Sequence, residues 1–348
     1  MRRGEPVAEP RKAGPMQDNM LTAKTREGYD LPVIDLTDPR FAVPEDPAAA
    51  RALHDAFVAD ERGRRFIPSF IMRMMLRAAA RQSRLVRAAF APPDGFLDGL
   101  STYVMKLGPD NLMPPWDSPM DRRVAASPHV GLMRLRMQQV ARLLAEGLVE
   151  HLRANAGAPL DLVNIGGGPA LDSLNALILL ARDQPELLAR RITVHVLDGD
   201  QDGPSFGANA LAALSAQGRP LHGRDVAWRQ APYDWNTAAP LAELVGALAA
   251  AGAIVAACSE GALFEYGSDD AIVANLEALG GGAGACVVVG SVTRADELRQ
   301  RMLAQSRVRL VPRGLAGFAP LAARGGFTIE RSENAWLSDQ VLLRPRAA

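Results

Sequence analysis

The sequence predicts an α/β fold over its C-terminal half, and three observations lead to this prediction. An apolar strand at 161–165 runs into a turn of three consecutive glycines and then into a helix. A second apolar run, 192–197, ends at Asp198. From residue 161 onward, apolar strands alternate with helical segments, which is typical of parallel α/β sheets. A glycine turn, a helix, a second strand and a terminal acid together indicate a nucleoside-binding unit.

This alternation predicts the strands of the sheet. Five strands, each followed by a helix, are expected at 161–165, 192–197, 226–230, 253–258 and 285–290. Two more, at 327–332 and 340–343, are joined by a connection too short for a crossover helix, so we expect an antiparallel hairpin. The predicted sheet therefore has seven strands, five of them parallel, plus the terminal antiparallel pair.

The residues before the α/β half divide into two segments. Residues 1–30 are polar and rich in Pro and Gly, and we expect a flexible tail. Residues 31–155 favour helices, at 47–60, 66–90 and 128–154, with a polar, turn-forming segment at 99–111. The nucleoside-binding domain is then expected at 156–348.

The composition limits the kinds of partner. The formal net charge is zero, so we expect neither nucleic acid nor a membrane as partner. Cys258 and Cys286 lie in apolar runs, and no apolar signal sequence starts the chain, which favours a reduced, cytoplasmic protein. The five histidines have no metal-ligand spacing, so no metal is expected.

Arginines recur at every third or fourth position of the segment 66–90. They indicate either a solvated helix face or a surface for an anionic partner, and the sequence leaves both interpretations open. The apolar face of the same segment is a candidate homodimer interface.

Two motifs and the terminal hairpin resemble the class I S-adenosylmethionine-dependent methyltransferases. Residues 163–170 (Val-Asn-Ile-Gly-Gly-Gly-Pro-Ala) are similar to the glycine turn under the methionine part of the cofactor. Residues 196–200 (Val-Leu-Asp-Gly-Asp) are similar to the acid that closes the second strand. The resemblance implies a Rossmann-like domain that binds S-adenosylmethionine, with 31–155 as a helical cap that recognises the substrate. Asn164 departs from the family, in which an acid is common at this position.

The resemblance implies which residues bind the cofactor. Asp198 is expected to accept the ribose hydroxyls, with Asp200 as the alternative, because a carboxylate offers two acceptor oxygens. Tyr233, Asp234 and Trp235 are expected near the adenine ring. The full predicted set is Gly166, Gly167, Gly168, Asp198, Gly199, Asp200, Tyr233, Asp234, Trp235, Ser259 and Glu260.

The predicted catalytic residues lie after the fourth strand and in the cap. Glu260 is the expected general base, and Tyr266 is expected to orient the nucleophile. Tyr103 in the cap is expected to hold the substrate, and Lys106, Asn111 and Arg134 are further candidates for this role. For all of these residues, capping, core packing and turn formation are the competing interpretations.

Methyl transfer to a small molecule by in-line displacement, with S-adenosylhomocysteine as product, is the leading hypothesis. The first alternative resembles the azetidine-2-carboxylate synthases, which cyclise the aminobutyrate arm of the same cofactor and leave methylthioadenosine. A nicotinamide oxidoreductase is disfavoured because Leu171 stands where a dinucleotide motif has its third glycine. A non-catalytic nucleoside-binding or interaction protein is the remaining alternative.

Overall fold

A seven-stranded sheet lies at the centre of the molecule. The computed structural model describes residues 20–64, 69–90, 95–281, 284–297, 299–300 and 308–346. The strands in this part of the chain are β1 (Thr22–Lys24), β2 (Asp30–Pro32), β3 (Leu160–Ile165), β4 (Ile192–Asp198), β5 (Val226–Pro232), β6 (Ile254–Ser259), β7 (Val287–Thr293), β8 (Phe327–Asn334) and β9 (Ser338–Pro345). Strands β3 to β9 form the sheet, in the order β5-β4-β3-β6-β7-β9-β8. Strands β3 to β7 are parallel, and β9 is antiparallel to both β7 and β8, which confirms the predicted topology.

Helices cover both faces of this sheet and form the region that precedes it. They are α1 (Pro47–Arg64), α2 (Ser69–Ala80), α3 (Arg84–Phe90), α4 (Gly99–Lys106), α5 (Pro119–Ala125), α6 (Pro128–Ala154), α7 (Leu171–Asp183), α8 (Asp202–Leu214), α9 (Ala239–Ala250), α10 (Leu263–Tyr266), α11 (Asp269–Gly280) and α12 (Gly314–Arg324). The helix expected at 295–306 lies mostly outside the described residues. Among the described helices, each is too short or too polar to cross a lipid bilayer.

Helix α6 joins the helical region to the sheet. Its start is set by Ser127, whose hydroxyl accepts the backbone N–H of Val130, and by a proline in the first turn. A Cβ on Gly147 would lie 2.8 Å from Leu342 and 3.1 Å from Val287, so the absence of a side chain lets the helix backbone approach the sheet closely. One hydrophobic core therefore includes residues from α6 and from the strands.

The carboxyl ends of the parallel strands meet at one edge of the sheet. In the register of the strands, Ile165 pairs with Leu197, Asp198 with Pro232 and Asn164 with Cys258. The strand order reverses at β3, since β4 lies on one side of it and β6 on the other. Open α/β sheets bind ligands in the crevice outside this point. The loops after β3, β4, β5 and β6 therefore border the candidate site.

The helical region differs from expectation in two places. The expected helix at 66–90 is two helices, α2 and α3, and the second begins where Asp121 binds the hydroxyl of Ser83 and the backbone N–H of Leu85. The expected turn at 99–111 begins with α4, because the Asp98 carboxylate accepts the Ser101 N–H at 2.6 Å and caps a helix. Phe70, Met74 and Met75 of α2 are 65%, 63% and 52% exposed, and the homodimer interface expected on this face stays a prediction.

The chain from residue 20 also differs from the tail expected there, while residues 1–19 lie outside the described part. Strand β1 pairs with β2, and Leu31 in β2 and Ile34 just after it are fully buried. The side chain of Asn175 in α7 accepts the N–H of Leu36 at 2.8 Å and donates to the carbonyl of Ile34 at 3.1 Å. The polar composition of the segment hid these contacts, because a side chain 139 residues away makes them.

Candidate functional site

The glycine turn after β3 is held against the acid that ends β4. Gly166, Gly168 and Ala170 have positive φ values of 68°, 55° and 50°, which turn the chain sharply from β3 into α7. Asp198 accepts the Gly168 N–H through Oδ2 at 2.8 Å and the Asp200 N–H through Oδ1 at 2.8 Å. The turn and the acid thus form a single hydrogen-bonded unit at the edge of the sheet.

Asp198 keeps acceptor capacity in this arrangement. Its carboxylate accepts these two backbone N–H groups and also interacts with the N–H of Gly199, and since two carboxylate oxygens offer about four acceptor positions, part of this capacity remains. Burial raises the pKa of Asp198, while the hydrogen bonds from the backbone partly oppose that shift. The neighbouring Asp200 has a different role, because its carboxylate accepts the backbone N–H groups of Gln201, Asp202 and Gly203 at the start of α8.

The outer surface of the glycine turn packs against backbone and one indole ring. A Cβ on Gly166 would lie 2.9 Å from the Trp235 ring, and a Cβ on Gly168 would lie 2.8 Å from the Cα of Gly99 in α4. The Gly203 backbone of α8 approaches Gly168 equally closely. The turn is therefore lined by main chain, by an aromatic face and by the Ala262 methyl group, which would lie 2.8 Å from a Cβ on Gly166.

Three aromatic side chains lie beside the turn. Phe96, which the sequence analysis did not identify, packs against Trp235 at 5.9 Å and against Tyr266 at 5.1 Å between ring centroids. Burial and the neighbouring Glu265 raise the pKa of Tyr266, so its phenol is neutral at neutral pH and can donate a hydrogen bond. These rings bring together residues from the loops after β5 and β6 and from the segment before α4.

Two of the residues expected near adenine have other partners. The Tyr233 hydroxyl donates to Oδ1 of Asn275 in α11 at 2.6 Å, which fixes the loop after β5 to the neighbouring helix. Asp234 is exposed and accepts the N–H of Asn236 at 3.0 Å. Of the three residues in this segment, Trp235 is the one that reaches the glycine turn.

Four charged side chains form a buried cluster next to the turn. Glu260, directly after β6, accepts Arg136 Nε at 2.5 Å through Oε1 and Lys106 Nζ through Oε2. Arg136 Nη1 also lies 3.2 Å from both carboxylate oxygens of Glu265. The four side chains are only 2% to 9% exposed. The two cations come from α4 and α6, while Glu260 directly follows β6 and Glu265 lies in α10.

This pairing argues against the predicted role of Glu260 as general base. Burial alone raises the pKa of its carboxyl, but the charges of Arg136 and Lys106 outweigh burial and hold the pKa below its usual range. A carboxylate with a lowered pKa is a weaker base, and both of its oxygens are occupied by cations. We therefore assign Glu260 to the charge cluster.

Tyr103 is also unsuited to its predicted role. Its hydroxyl donates to the Pro32 carbonyl at 2.7 Å and accepts the Ile34 N–H at 2.9 Å, and its ring packs against Phe206. Burial raises the pKa of this phenol. Because both hydrogen-bonding functions serve the N-terminal segment, Tyr103 holds that segment against α4. Asn111 and Arg134 likewise bind backbone carbonyls of their own region.

A second buried polar group lies under the glycine turn. Asn164 Nδ2 donates to Asp172 Oδ1 at 2.7 Å, and the Cys258 thiol donates to Asp172 Oδ2 at 2.6 Å. Burial raises the pKa values of Asp172 and Cys258. Among the described residues, Asn164 Oδ1 has no hydrogen-bond partner, and the side chain lies against Gly167. Ser259 at the end of β6 is joined to β3, because its hydroxyl donates to the Ile165 carbonyl at 2.9 Å.

Arg136 is the main residue that the sequence analysis missed. A signal for it exists, since Met133, Arg136 and Val140 follow helical spacing and all three are buried on one face of α6. An arginine at a core position of an apolar stripe predicts a buried ion pair. No group of three histidine, cysteine or acidic side chains in the described ranges is placed to hold a metal ion.

Similarity of the chain to known proteins is confined to solved structures. No family model matches the chain, and no curated protein sequence matches it. Solved structures with a similar fold include the pyocyanin biosynthetic protein PhzM, at 17% identity, and the mitomycin 7-O-methyltransferase MmcR, at 20% identity. A third is the N,N-8-amino-8-demethyl-D-riboflavin dimethyltransferase RosA from Streptomyces davawensis, at 18% identity.

The extent of these similarities is limited. The match to PhzM covers 59% of this chain and 55% of that protein, with a TM-score of 0.37. The match to MmcR covers 87% and 74%, with a TM-score of 0.38, and the match to RosA covers 76% and 70%, with a TM-score of 0.37. This chain therefore spans about half the length of PhzM. Similarities of this size do not identify a reaction.

The strand order decides the fold, together with a glycine turn after β3, an acid at the end of β4 and an antiparallel β9. The chain has a Rossmann-like α/β fold, with five parallel strands and a terminal antiparallel pair. In this fold, β3 and β4 are the two strands whose ends carry the glycine turn and Asp198. The resemblance found in the sequence motifs is thus matched by the arrangement of the strands.

Proposed function

We propose that the chain is an S-adenosylmethionine-dependent methyltransferase that acts on a small molecule. The observation that carries this proposal is Asp198, fixed against the glycine turn by the N–H of Gly168. The Asp198 carboxylate keeps acceptor capacity beyond its backbone partners, and a ribose presents two adjacent hydroxyl donors. The pairing of a strand-end acid with a bare glycine turn supports a nucleoside whose ribose lies on Asp198.

The remaining groups at this edge suit the rest of the cofactor. The glycine turn offers backbone without side chains, and the start of α7 supplies unpaired N–H groups. The rings of Phe96, Trp235 and Tyr266 offer faces that attract a sulfonium cation. The orphaned Oδ1 of Asn164 under the turn is an acceptor that a donor of the ligand can satisfy. On these grounds the residues fit S-adenosylmethionine, which supplies the methyl group when it is bound.

The proposed catalysis depends on positioning. Methyl transfer is an in-line displacement, so the chain contributes most by aligning the acceptor and by excluding water. Helix α4 covers the glycine turn through Gly99, which keeps solvent from that side. Tyr266 stays protonated, so it serves as a donor that orients the acceptor oxygen or nitrogen. Because Glu260 is held by two cations, the acceptor needs to be nucleophilic without a proton transfer to this carboxylate.

A small acceptor is favoured by the charges of the site. Lys106 and Arg136 are buried and paired with Glu260 and Glu265, so these two cations offer no surface to a polyanion. The formal net charge of the chain is zero, which agrees with this interpretation.

Calorimetric titration of the protein with S-adenosylmethionine and S-adenosylhomocysteine tests the proposal. We expect binding of both nucleosides, weakened by about 30-fold or more in Asp198→Ala, because two hydrogen bonds to a charged group are lost. The matched control is Asp183→Ala, which removes an exposed acid at the end of α7. Absence of binding to the unaltered protein would refute the proposal.

Mass spectrometry of the same mixtures separates methyl transfer from the cyclase alternative. Methyl transfer leaves S-adenosylmethionine intact until an acceptor is added and then yields S-adenosylhomocysteine. Accumulation of methylthioadenosine without an acceptor would instead show that the aminobutyrate arm is the group that reacts.

A further inference from the structure

Helix α4 crosses the proposed cofactor cleft and is attached at both of its ends. At its start, a Cβ on Gly99 would lie 2.8 Å from the Cα of Gly168, so the two backbones touch at the glycine turn after β3. At its end, Lys106 forms a buried ion pair with Glu260, directly after β6. Strands β3 and β6 are neighbours, and the proposed cofactor lies outside their carboxyl ends. The helix therefore spans the two walls of the cleft.

A second attachment comes from α6. Arg136 reaches Glu260 through Nε at 2.5 Å and Glu265 through Nη1 at 3.2 Å. Gly261 between these acids has a φ of +72°, and a Cβ there would lie 2.7 Å from Arg136 Nη2. The glycine is thus required both by the turn and by the space that the guanidinium occupies.

The two attachments differ in how many bonds hold them. Arg136 binds two carboxylates through three contacts, whereas Lys106 binds Glu260 alone. If Lys106 is released, Glu260 keeps Arg136 as its partner, so no carboxylate is left buried without a cation. The Lys106–Glu260 contact can therefore open while the rest of the cluster stays formed.

We propose that Lys106 and Arg136 are positioning residues that fasten α4 and the loop 260–266 across the cofactor cleft, and that the Lys106–Glu260 contact opens for cofactor exchange. This inference rests on the proposed function. Helix α4 covers the glycine turn, so a nucleoside reaches the turn only when the helix lifts. Arg136 keeps the loop that bears Tyr266 in place while this happens.

The variant Lys106→Met tests the proposal, because it removes the charge and keeps most of the side-chain volume. S-adenosylhomocysteine association and dissociation are measured by stopped-flow tryptophan fluorescence, since Trp235 lies at the turn. If the Lys106–Glu260 contact holds α4 over the cleft to the same extent with and without ligand, it slows both association and dissociation of the ligand. We therefore expect both rate constants to rise by about tenfold, with the dissociation constant changed by less than about threefold.

Two control variants make the result specific. Lys24→Met removes the other lysine of the described residues, which is exposed and pairs with Asp30 at 3.2 Å, and it should leave both rate constants unchanged. Lys106→Arg keeps a cation at the contact and should restore slow exchange. The melting temperature of each variant, measured by circular dichroism, shows whether the fold is kept.

Three outcomes would overturn the inference. Unchanged rate constants in folded Lys106→Met would show that the contact does not limit exchange. A faster dissociation with an equally weakened affinity would show that Lys106 contacts the ligand directly. Absence of nucleoside binding to the unaltered protein would refute the proposed function and this inference with it, whereas the first two results refute the inference alone.

Discussion

Two acids follow the strands on either side of β3, and they are in opposite situations. Asp198 at the end of β4 has only backbone N–H groups as partners and keeps free acceptor positions. Glu260 after β6 is enclosed by Lys106 and Arg136. Burial raises the pKa of Asp198, whereas the two cations hold the pKa of Glu260 below its usual range. An acid at a strand end thus becomes a ligand-binding group or a structural one according to the partners that the rest of the fold supplies.

The comparison teaches how the helical region contributes to the site. On the side of β4, the helical region contacts the glycine turn through the backbone of Gly99 in α4. Near β6 it supplies both cations of a buried cluster. The β4 side therefore keeps acceptor capacity for a polar ligand, and the β6 side serves to hold the two parts of the molecule together.

The largest expected effect comes from removing the cation that serves both carboxylates on the β6 side. Arg136→Met leaves Glu260 with Lys106 alone and removes the hydrogen-bonded cation of Glu265, which then has only the neighbouring buried Arg299 among the described cations. Breaking buried ion pairs is costly, so we expect the free energy of unfolding to fall by about 3–5 kcal/mol. Urea denaturation followed by circular dichroism measures this change.

The control for this variant is an ion pair at the surface. Arg182 binds Asp183 at 2.7 Å, but both side chains are 53% exposed. Arg182→Met should change the free energy of unfolding by less than about 0.5 kcal/mol. Equal effects of the two substitutions would show that the buried cluster is solvated and would remove the contrast between the two acids.

A smaller effect is expected at Gly261, next to the same guanidinium. Gly261 and Gly252 have nearly equal φ values of +72° and +73°, but nothing lies within 4 Å of a Cβ on Gly252. Gly252→Ala should therefore cost about 1 kcal/mol of strain, and Gly261→Ala about 3 kcal/mol, because its methyl group displaces Arg136. The difference in urea midpoint between the two variants measures the contribution of the guanidinium. Equal losses of stability in Gly261→Ala and Gly252→Ala would show that the Arg136 side chain moves aside without a loss of stability.

The sequence alone predicts the topology of the sheet but not the charge cluster on which these effects depend. Strands and helices alternate with clear apolar patterns, and the short connection before β9 excludes a crossover, so local information was enough for the topology. The charge cluster joins residues that are 124 and 154 positions apart. Nothing local to Glu260 indicates two cations from other helices, so the sequence alone favours a general base at this position.

Helix α4 illustrates a failure of local information of another kind. Glycine, serine and threonine at 99–102 and the Gly-Pro pair at 108–109 are typical of a turn. The capping carboxylate of Asp98 and the burial of Val104 and Met105 outweigh these preferences. The positions of Trp235 and Tyr266 after β5 and β6 indicate a place at the site, whereas Phe96, which packs against both rings, lies before α4, where no such pattern marks it.

The smallest expected effect is a difference in acid sensitivity between the two sides of β3. The pKa of Asp198 is raised above 3.8, so its carboxylate is protonated early on acidification and loses acceptor capacity for the ligand. The same protonation removes a buried charge that opposes folding, so it does not destabilise the fold. The pKa of Glu260 lies below 4.5, so the stability that its ion pairs contribute is present above that value and is lost only as the pH falls through the lower, folded-state pKa. We therefore expect affinity for S-adenosylhomocysteine to decline at a higher pH than the circular dichroism signal of the fold, in titrations from about pH 7 to about pH 3. The weak binding that remains in Asp198→Asn should not show this decline before unfolding. If ligand affinity and the circular dichroism signal declined at the same pH, the pKa values of Asp198 and Glu260 would not differ in the way that their partners indicate.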